Sequence, residues 1–451
     1  MRLPWGMNGY QWTVVFAAWL GWGFDIIDAL LFNYVAANCI PTLLHLPIGS
    51  PEALQETKHY VAMMASVLLL GWAVGGIFFG WLADKIGRSR TLLMTIVLYS
   101  VGTALCAVAP NVEFLIFCRI LASLGIGGEW AAGASMVSEV VPASKRANAG
   151  ALLYTSAPFG LICAAMINRL VAFYWLPDHP EYSWRVVFIF GLLPALAAAA
   201  MRMVLKEPEA FSQEGDHNPK ISELFSPQLW PITRSGFLMA LTALISWWTL
   251  STFQAGLSGG LAAIEAKNLG LGVTETAELV TRWQLLATVC FSVGGGIGTL
   301  LTVPFANRYG RKTMFAVYYS ASALAIMATF GLPLAPIMRI YLQFFLGLTV
   351  FGVFGSFTYY LPELFPTRLR ATGSGFCYNV GRVITAFGPY LVSTVSKGGV
   401  EKIESTLFWV FVVPVLGVAA MPWVIETKGI ATFQPDTPLA EAGEGTGLTV
   451  S

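Results

Sequence analysis

WLADKIGRSR (81–90) ends one long apolar run and begins the next, and PFANRYGRKT (304–313) does the same farther along the chain. A second stretch, SEVVPASKRANAG (138–150), is answered by PELFPTRLRATGS (362–374), which brings Glu139, Pro142 and Arg146 into step with Glu363, Pro366 and Arg370. The two correspondences have nearly one offset: 304 against 81 gives 223, and 363 against 139 gives 224. Independent coincidences rarely agree so closely, so the chain reads as an internal duplication.

Around these stretches the sequence is too apolar for a soluble domain. Of 451 residues, 56% are hydrophobic and 11% charged, where soluble domains hold about a quarter charged residues. Twelve runs approach the roughly 20 residues a bilayer-crossing helix needs. They are expected at 10–36, 60–82, 91–109, 113–136, 147–174, 184–205, 235–256, 280–303, 313–332, 335–360, 371–395 and 405–425. A backbone in lipid must satisfy its own hydrogen bonds, so the fold class is all-α. The duplication then predicts two pseudo-symmetric six-helix bundles, 1–205 and 235–426, joined by a cytoplasmic linker at 206–234 and followed by a polar, disordered tail at 427–451. Paired repeats of this kind are the plan of a secondary transporter, with its solute site between the halves near mid-membrane.

Lys and Arg set the orientation. Lys85, Arg88, Arg90, Lys145, Arg146, Arg202, Lys206, Lys220, Arg234, Arg308, Arg311, Lys312, Arg368, Arg370 and Lys428 fall in loops on one side, while the other holds few, such as Lys58, Lys267, Lys397 and Lys402. Both termini are therefore expected in the cytoplasm. The first span follows MRLPWGMNGY, which has no small-residue cleavage site, and reads as a retained helix rather than a signal peptide. A net charge of +1 gives no case for nucleic acid. GIGG and GGGIG (294–298) lie inside apolar runs and read as close helix packing, and no Gly precedes a Lys, so no P-loop binds ATP. The six cysteines lack metal-ligand spacing, so no metal or cofactor is expected. The lack of an N-x-[ST] sequon fits a bacterial inner membrane. No sizeable extramembrane domain is present to house an enzyme, and a monomer is expected.

GWLADKIGRSR (80–90) resembles the signature loop of the major facilitator superfamily, and the likeness covers nearly the whole chain. GFDIID in span 1, GIGGEWAAGAS (125–135), SWRVVFIFGLLPA (183–195) and ELFPTRLRATGSGFCYNVGR (363–382) are similar to the sialate:proton symporters, a group that includes lactate and other monocarboxylate carriers. Aromatic-acid and sugar porters share parts of the pattern, and IETKG (425–429) resembles the sugar-porter ending.

The intramembrane charges carry the functional expectations. Asp25 and Asp28 are three residues apart on span 1, about 4.5 Å along the axis, on roughly one face, where they could share a cavity. Two nearby carboxylates in a low dielectric repel, which favours proton uptake by one. Arg119 on span 4 lies at a similar depth, and the resemblance to proton-coupled sugar porters implies an Asp–Arg switch; the alternative is a static ion pair. By the same resemblance Glu129 relays the proton or holds a polar network, and a simple interhelical hydrogen bond is the plainer reading. The four histidines fall in loops and are poor proton carriers here.

In the second half Arg382 is the only charge deep in a span, three residues after Asn379. A guanidinium fork suits a carboxylate solute, with Tyr378 and Asn379 beside it; the alternative is an anchor to helix carbonyls. Trp247, Trp248, Gln254, Gln284, Gln343, Asn33 and Tyr154 could line the same cavity, although each alone is more often packing. At the cytoplasmic side Asp84 is expected near the N-terminus of span 11 and Arg88 near Glu139, latching an inner gate. The second copy has Asn307 where the first has Asp84, which predicts a weaker latch around Arg311, Glu363, Arg146 and Arg370. The reading is proton-coupled symport of a small organic anion by alternating access, with a sugar or polyol porter, or a non-transporting receptor, as alternatives.

Overall fold

Caps and apolar runs together fix the helices. Asn8 Oδ1 accepts from the Gln11 amide and Gln11 Oε1 from the Asn8 amide, both at 2.9 Å, so span 1 (Gly9–Leu43) begins in a reciprocal capping box. Ser50 Oγ accepts from the Ala53 amide and Asn111 Oδ1 from the Phe114 amide, one-way caps that begin span 2 (Pro51–Ile86) and span 4 (Val112–Val140). Span 3 is Arg88–Ala107 and span 6 is Pro180–Val204. Spans 7, 8 and 9 are Trp230–Leu269, Val273–Tyr309 and Arg311–Gly331. Several helices overrun their apolar runs, span 2 beginning at Pro51 rather than at 60. Hydropathy marks the lipid, whereas the caps mark where the helix stops, and the two need not coincide.

Three spans are broken. Span 5 divides into Arg146–Tyr154 and Ser156–Arg169, with a widened turn over Leu170–Trp175. Span 10 runs as Pro336–Leu346, a wide turn Gly347–Phe351, a tight turn Gly352–Ser356 and Phe357–Leu364. Span 12 comprises Gly399–Trp409 and Val412–Ala419. Span 11 is described over Arg370–Thr385. This computed structural model describes residues 4–176, 178–208, 219–387 and 399–428. The outer end expected for span 11, the middle of the linker and the tail after Lys428 lie outside the described residues. Ten helices among the described residues are long and apolar enough to cross a membrane.

The first bundle packs spans 2 and 3 on span 4, and spans 5 and 6 on span 1; the second packs span 10 on span 8, span 11 on span 7 and span 12 on span 9. A Cβ at Gly294 of span 8 would lie 2.0 Å from the Phe344 carbonyl oxygen of span 10, so the glycine run there does permit backbone-close packing. The bundles meet where span 2 crosses span 11, where span 5 meets span 8, and where the last segment of span 10 reaches spans 4 and 5. Much of this seam lies toward the membrane face that carries the Arg- and Lys-rich loops, called here the basic face.

Gly80 and Gly375 are matching register points of that seam: a Cβ at Gly80 would sit 2.7 Å from the Ala371 carbonyl oxygen, and one at Gly375 would sit 2.7 Å from that of Gly76. Gly80→Val is therefore expected to cost the closed seam roughly 1–3 kcal/mol by overpacking. Hydrogen exchange at the Ala371 and Thr372 amides should speed up relative to wild type; unchanged protection would show that the seam is not held there.

Candidate functional site

Three groups of side chains occupy successive depths. The first lies wholly in the first bundle. Asp28 is 2% exposed, and its Oδ1 accepts from Thr103 Oγ1 at 2.7 Å and from Arg119 Nη1 at 3.4 Å. Arg119 also donates to the Asp28 and Ala29 carbonyls at 3.2–3.3 Å. A buried guanidinium thus spends several donors on one turn of span 1, which ties spans 1, 3 and 4 together. Asp25, one turn earlier on the same helix, is fully buried.

The second group surrounds Arg382. Its guanidinium lies 4.5 Å from the Trp72 ring centroid and 4.7 Å from that of Tyr378, and Nη1 donates to Asn379 Oδ1 at 2.5 Å. Asn379 in turn donates to the Gly375 carbonyl at 2.8 Å. Ring faces stabilise the cation and exclude water, yet leave in-plane donors available. The Arg382 Nε–H and the indole N–H groups of Trp22, Trp72 and Trp130 are buried and make no hydrogen bond among the described residues. Tyr378 stacks on Trp130 at 4.1 Å and its hydroxyl meets that of Tyr154 at 2.7 Å. Trp22 and Trp130 also wall a small cavity together with the buried Glu129, Ala18 and Gly133. Trp247 stacks with Phe291 and touches Phe351, which in turn reaches Tyr154, while Trp248 packs edge-on against Trp72. These contacts extend one aromatic wall across both bundles. Gln254 is half-buried, Gln343 is buried on span 10, and Gln284 lies beside Gly259, between spans 7 and 8. Asn33 is exposed.

The third group closes the basic face. The buried carboxylate of Asp84 accepts from the Ala371 amide at 3.2 Å and from the Thr372 amide and hydroxyl at 2.7 Å, at the start of span 11. Four unsatisfied amides and the helix dipole make that end positive, which is why a carboxylate is held there. Arg88 pairs with Asp84 and Glu139, both at 3.0 Å, and donates to the Thr367 carbonyl at 2.7 Å. Arg370 reaches the same Glu139 oxygen at 3.0 Å from the other bundle. Arg146 is half-buried and feels the charges of Arg370, Glu363 and Glu139.

The second repeat is built differently. Arg311 holds Glu363 through two parallel bonds at 2.9 and 3.1 Å, and Thr427 donates to Glu363 at 2.6 Å, all within the second bundle. Asn307, at the position matching Asp84, is exposed. Glu426 accepts from the Arg311 and Lys312 amides at 2.8 and 3.0 Å, capping span 9. Glu207 caps span 3 by accepting from the Arg88 and Ser89 amides. Burial pushes the Glu207 carboxyl up, and those two amides together with the Arg88 charge draw it back.

Thr103, Trp72, Trp130, Glu207 and Glu426 did not emerge as site residues from the sequence. Glu207 and Glu426 are 219 residues apart, off the 223–224 offset, so the repeat pattern concealed their equivalence. The tryptophans look like ordinary packing until span 11 is laid against them.

A model of the Major Facilitator Superfamily matches residues 26–389. The chain is 28% identical over 445 residues to a probable 4-methylmuconolactone transporter of Cupriavidus pinatubonensis, covering 96% of each. It is 28% identical over 398 residues to the sialic acid transporter NanX of Escherichia coli, covering 86% of this chain and 88% of that one. Among solved structures, the proton:xylose symporter XylE bound to 6-bromo-6-deoxy-D-glucose superposes with a TM-score of 0.73 at 16% identity, over 95% of this chain and 98% of that one.

Breaking one partner of a buried ion cluster strands the others, at a cost of about 3–5 kcal/mol. Glu139, with a fully buried side chain between Arg88 and Arg370, is such a partner. The Glu223–Arg368 pair is about a quarter exposed and is worth about 1 kcal/mol or less. Glu139→Gln should therefore lower the thermal unfolding midpoint in detergent far more than Glu223→Gln; equal shifts would contradict the ranking. The Arg368 hydrogen bond holds the Glu223 carboxyl below its usual range. Its small contribution is thus complete above the ordinary Glu pKa and fades as pH falls through the lowered value.

Proposed function

Because the chain belongs to the Major Facilitator Superfamily, we propose that it is a proton-coupled symporter of a small organic anion, working by alternating access between its two bundles. Its basic face is the cytoplasmic one, both termini lie there, and the protein works as a monomer in a bacterial inner membrane. The halves divide as 1–205 and 235–426 around the 206–234 linker.

One observation carries the reading. Arg382, 3% exposed, is framed by ring faces and keeps an Nε–H without a hydrogen bond, close to the unspent indole donors of Trp72 and Trp130. Buried donors are rarely left unpaired, and a cargo that brings acceptor oxygens and negative charge satisfies them. A relative named for sialic acid supports an acidic cargo. The proton enters through span 1: a proton on Asp28 removes the negative partner of Arg119, weakening the tie between spans 1 and 4. Asp25 lies on the cargo side, where its charge competes with a bound carboxylate for Arg382. Asp84, Arg88, Glu139 and Arg370 seal the inner face between cycles.

The test is uptake into proteoliposomes of lactate, sialate, benzoate and glucose, with and without an acid-outside gradient. One or more acids should accumulate with the gradient, and glucose should not. Arg382→Ala is expected to reduce that uptake at least tenfold, the loss of a charged hydrogen bond worth about 1.5–3 kcal/mol. Asp28→Asn should abolish accumulation yet preserve exchange. Full gradient-driven accumulation in both Asp25→Asn and Asp28→Asn, or unchanged acid affinity in Arg382→Ala, would rule the assignment out.

A further inference from the structure

The Tyr154–Tyr378 contact has a symmetry that neither the ion cluster nor the Arg382 site has. The two residue numbers differ by 224, the separation of Glu139 from Glu363, so the two tyrosines are equivalent positions of the repeat. Their hydroxyls meet at 2.7 Å between bundles, in a buried setting. Trp130 and Phe354 are also 224 apart, and the stacking is reciprocal. Tyr378 of the second bundle lies on Trp130 of the first at 4.1 Å and 13°, and Tyr154 of the first lies on Phe354 of the second at 5.9 Å and 30°. Each tyrosine thus inserts its ring into the other bundle, and the pseudo-twofold axis passes by their shared hydrogen bond.

Depth gives this clasp its meaning. Tyr378 is eight residues into span 11 from Arg370, about 12 Å along the axis. Arg382 stands one turn deeper, with its guanidinium 4.7 Å from the Tyr378 ring. The tyrosine pair therefore floors the Arg382 site, and the Asp84–Arg88–Glu139–Arg370 cluster closes the same route nearer the basic face.

We propose that Tyr154 and Tyr378 are the inner gate of the transport path: their hydroxyl–hydroxyl bond, clamped by the two reciprocal stacks, must break before the Arg382 site opens to the basic face. This rests on the alternating-access reading above. Because the bond is shared, removing either hydroxyl removes all of it. Tyr378 is then a positioning residue, holding the floor beneath Arg382, in addition to lining the site.

The test uses purified full-length protein and a maleimide as the probe, so it needs no knowledge of the cargo. Ser374 is buried one turn before Tyr378 on the same face of span 11, and Ser374→Cys reports opening of the floor by its alkylation rate above that of the six native thiols. Tyr154→Phe and Tyr378→Phe should each accelerate labelling roughly fivefold, the population shift of one net hydrogen bond. The double variant should fall well short of the product of the singles, because the bond between the two hydroxyls can be lost only once. Unchanged rates in the singles would overturn the gate, and so would a double variant whose effect is the product of theirs. If Ser374→Cys does not fold, amide exchange at 152–156 in the otherwise native chain gives the same reading, with faster exchange in both single variants expected and unchanged exchange decisive against the gate. Absent acid uptake alongside fivefold faster labelling would refute the organic-acid cargo and leave the gate standing.

Discussion

A charge carried into a low-dielectric interior must find its partner there, and this chain meets the requirement with contacts that cross between bundles. The carboxylate of Asp84 on the first amides of span 11 is the plainest case. It is buried, it belongs to the first bundle, and what it binds is the positive end of a helix in the second. Arg88 stands beside it and holds Glu139, which also takes Arg370 from across the seam. Separating the bundles at this face would leave four charged groups with fewer partners, so opening it would require water to replace them.

The duplicated halves do not share this duty equally. In the first repeat the ion cluster reaches into the other bundle; in the second, Arg311, Glu363 and Glu426 satisfy one another at home. Asn307 replaces the acid that would have reached across, and it is exposed. A neutral amide cannot use a helix dipole as a carboxylate does. The second set therefore stiffens a bundle, whereas the first joins two. Glu207 and Glu426, one at the start of the linker and one at the end of the last span, cap spans 3 and 9. Residues next to the linker and after the last span are thus tied to the starts of spans 3 and 9.

Much of this architecture was legible in the sequence, because the bilayer reduces the choice of structure to helices and the repeats reveal their pairing. The helix count, the duplication and the neighbourhood of Asp84, Arg88 and Glu139 could be read from apolar run lengths and loop motifs. Helix ends were not, since caps such as Asn8 and Ser50 lie outside the apolar runs. The site was legible in its charges and obscure in its walls. Asp28, Arg119 and Arg382 announce themselves by being charged in lipid, but Trp72, Trp130 and Thr103 acquire meaning only from the helix laid against them. Asp25 and Asp28 share a helix face at sequence level, and the packing gives Asp28 to Arg119 and Thr103. A spacing of three residues fixes direction to within tens of degrees, and neighbouring helices decide the rest.

If the bundles rock about a central site, the two membrane faces must change in opposite senses. Spin labels at Ser144 and Arg308 would report the basic face, and labels at Glu52 and Glu275 the opposite one; all four positions are exposed. Pulsed dipolar distances in lipid should show acidification lengthening one pair as it shortens the other, with Asp28→Asn fixed in a single distribution. Distances that stay constant on both faces, or move together, would contradict alternating access in this chain.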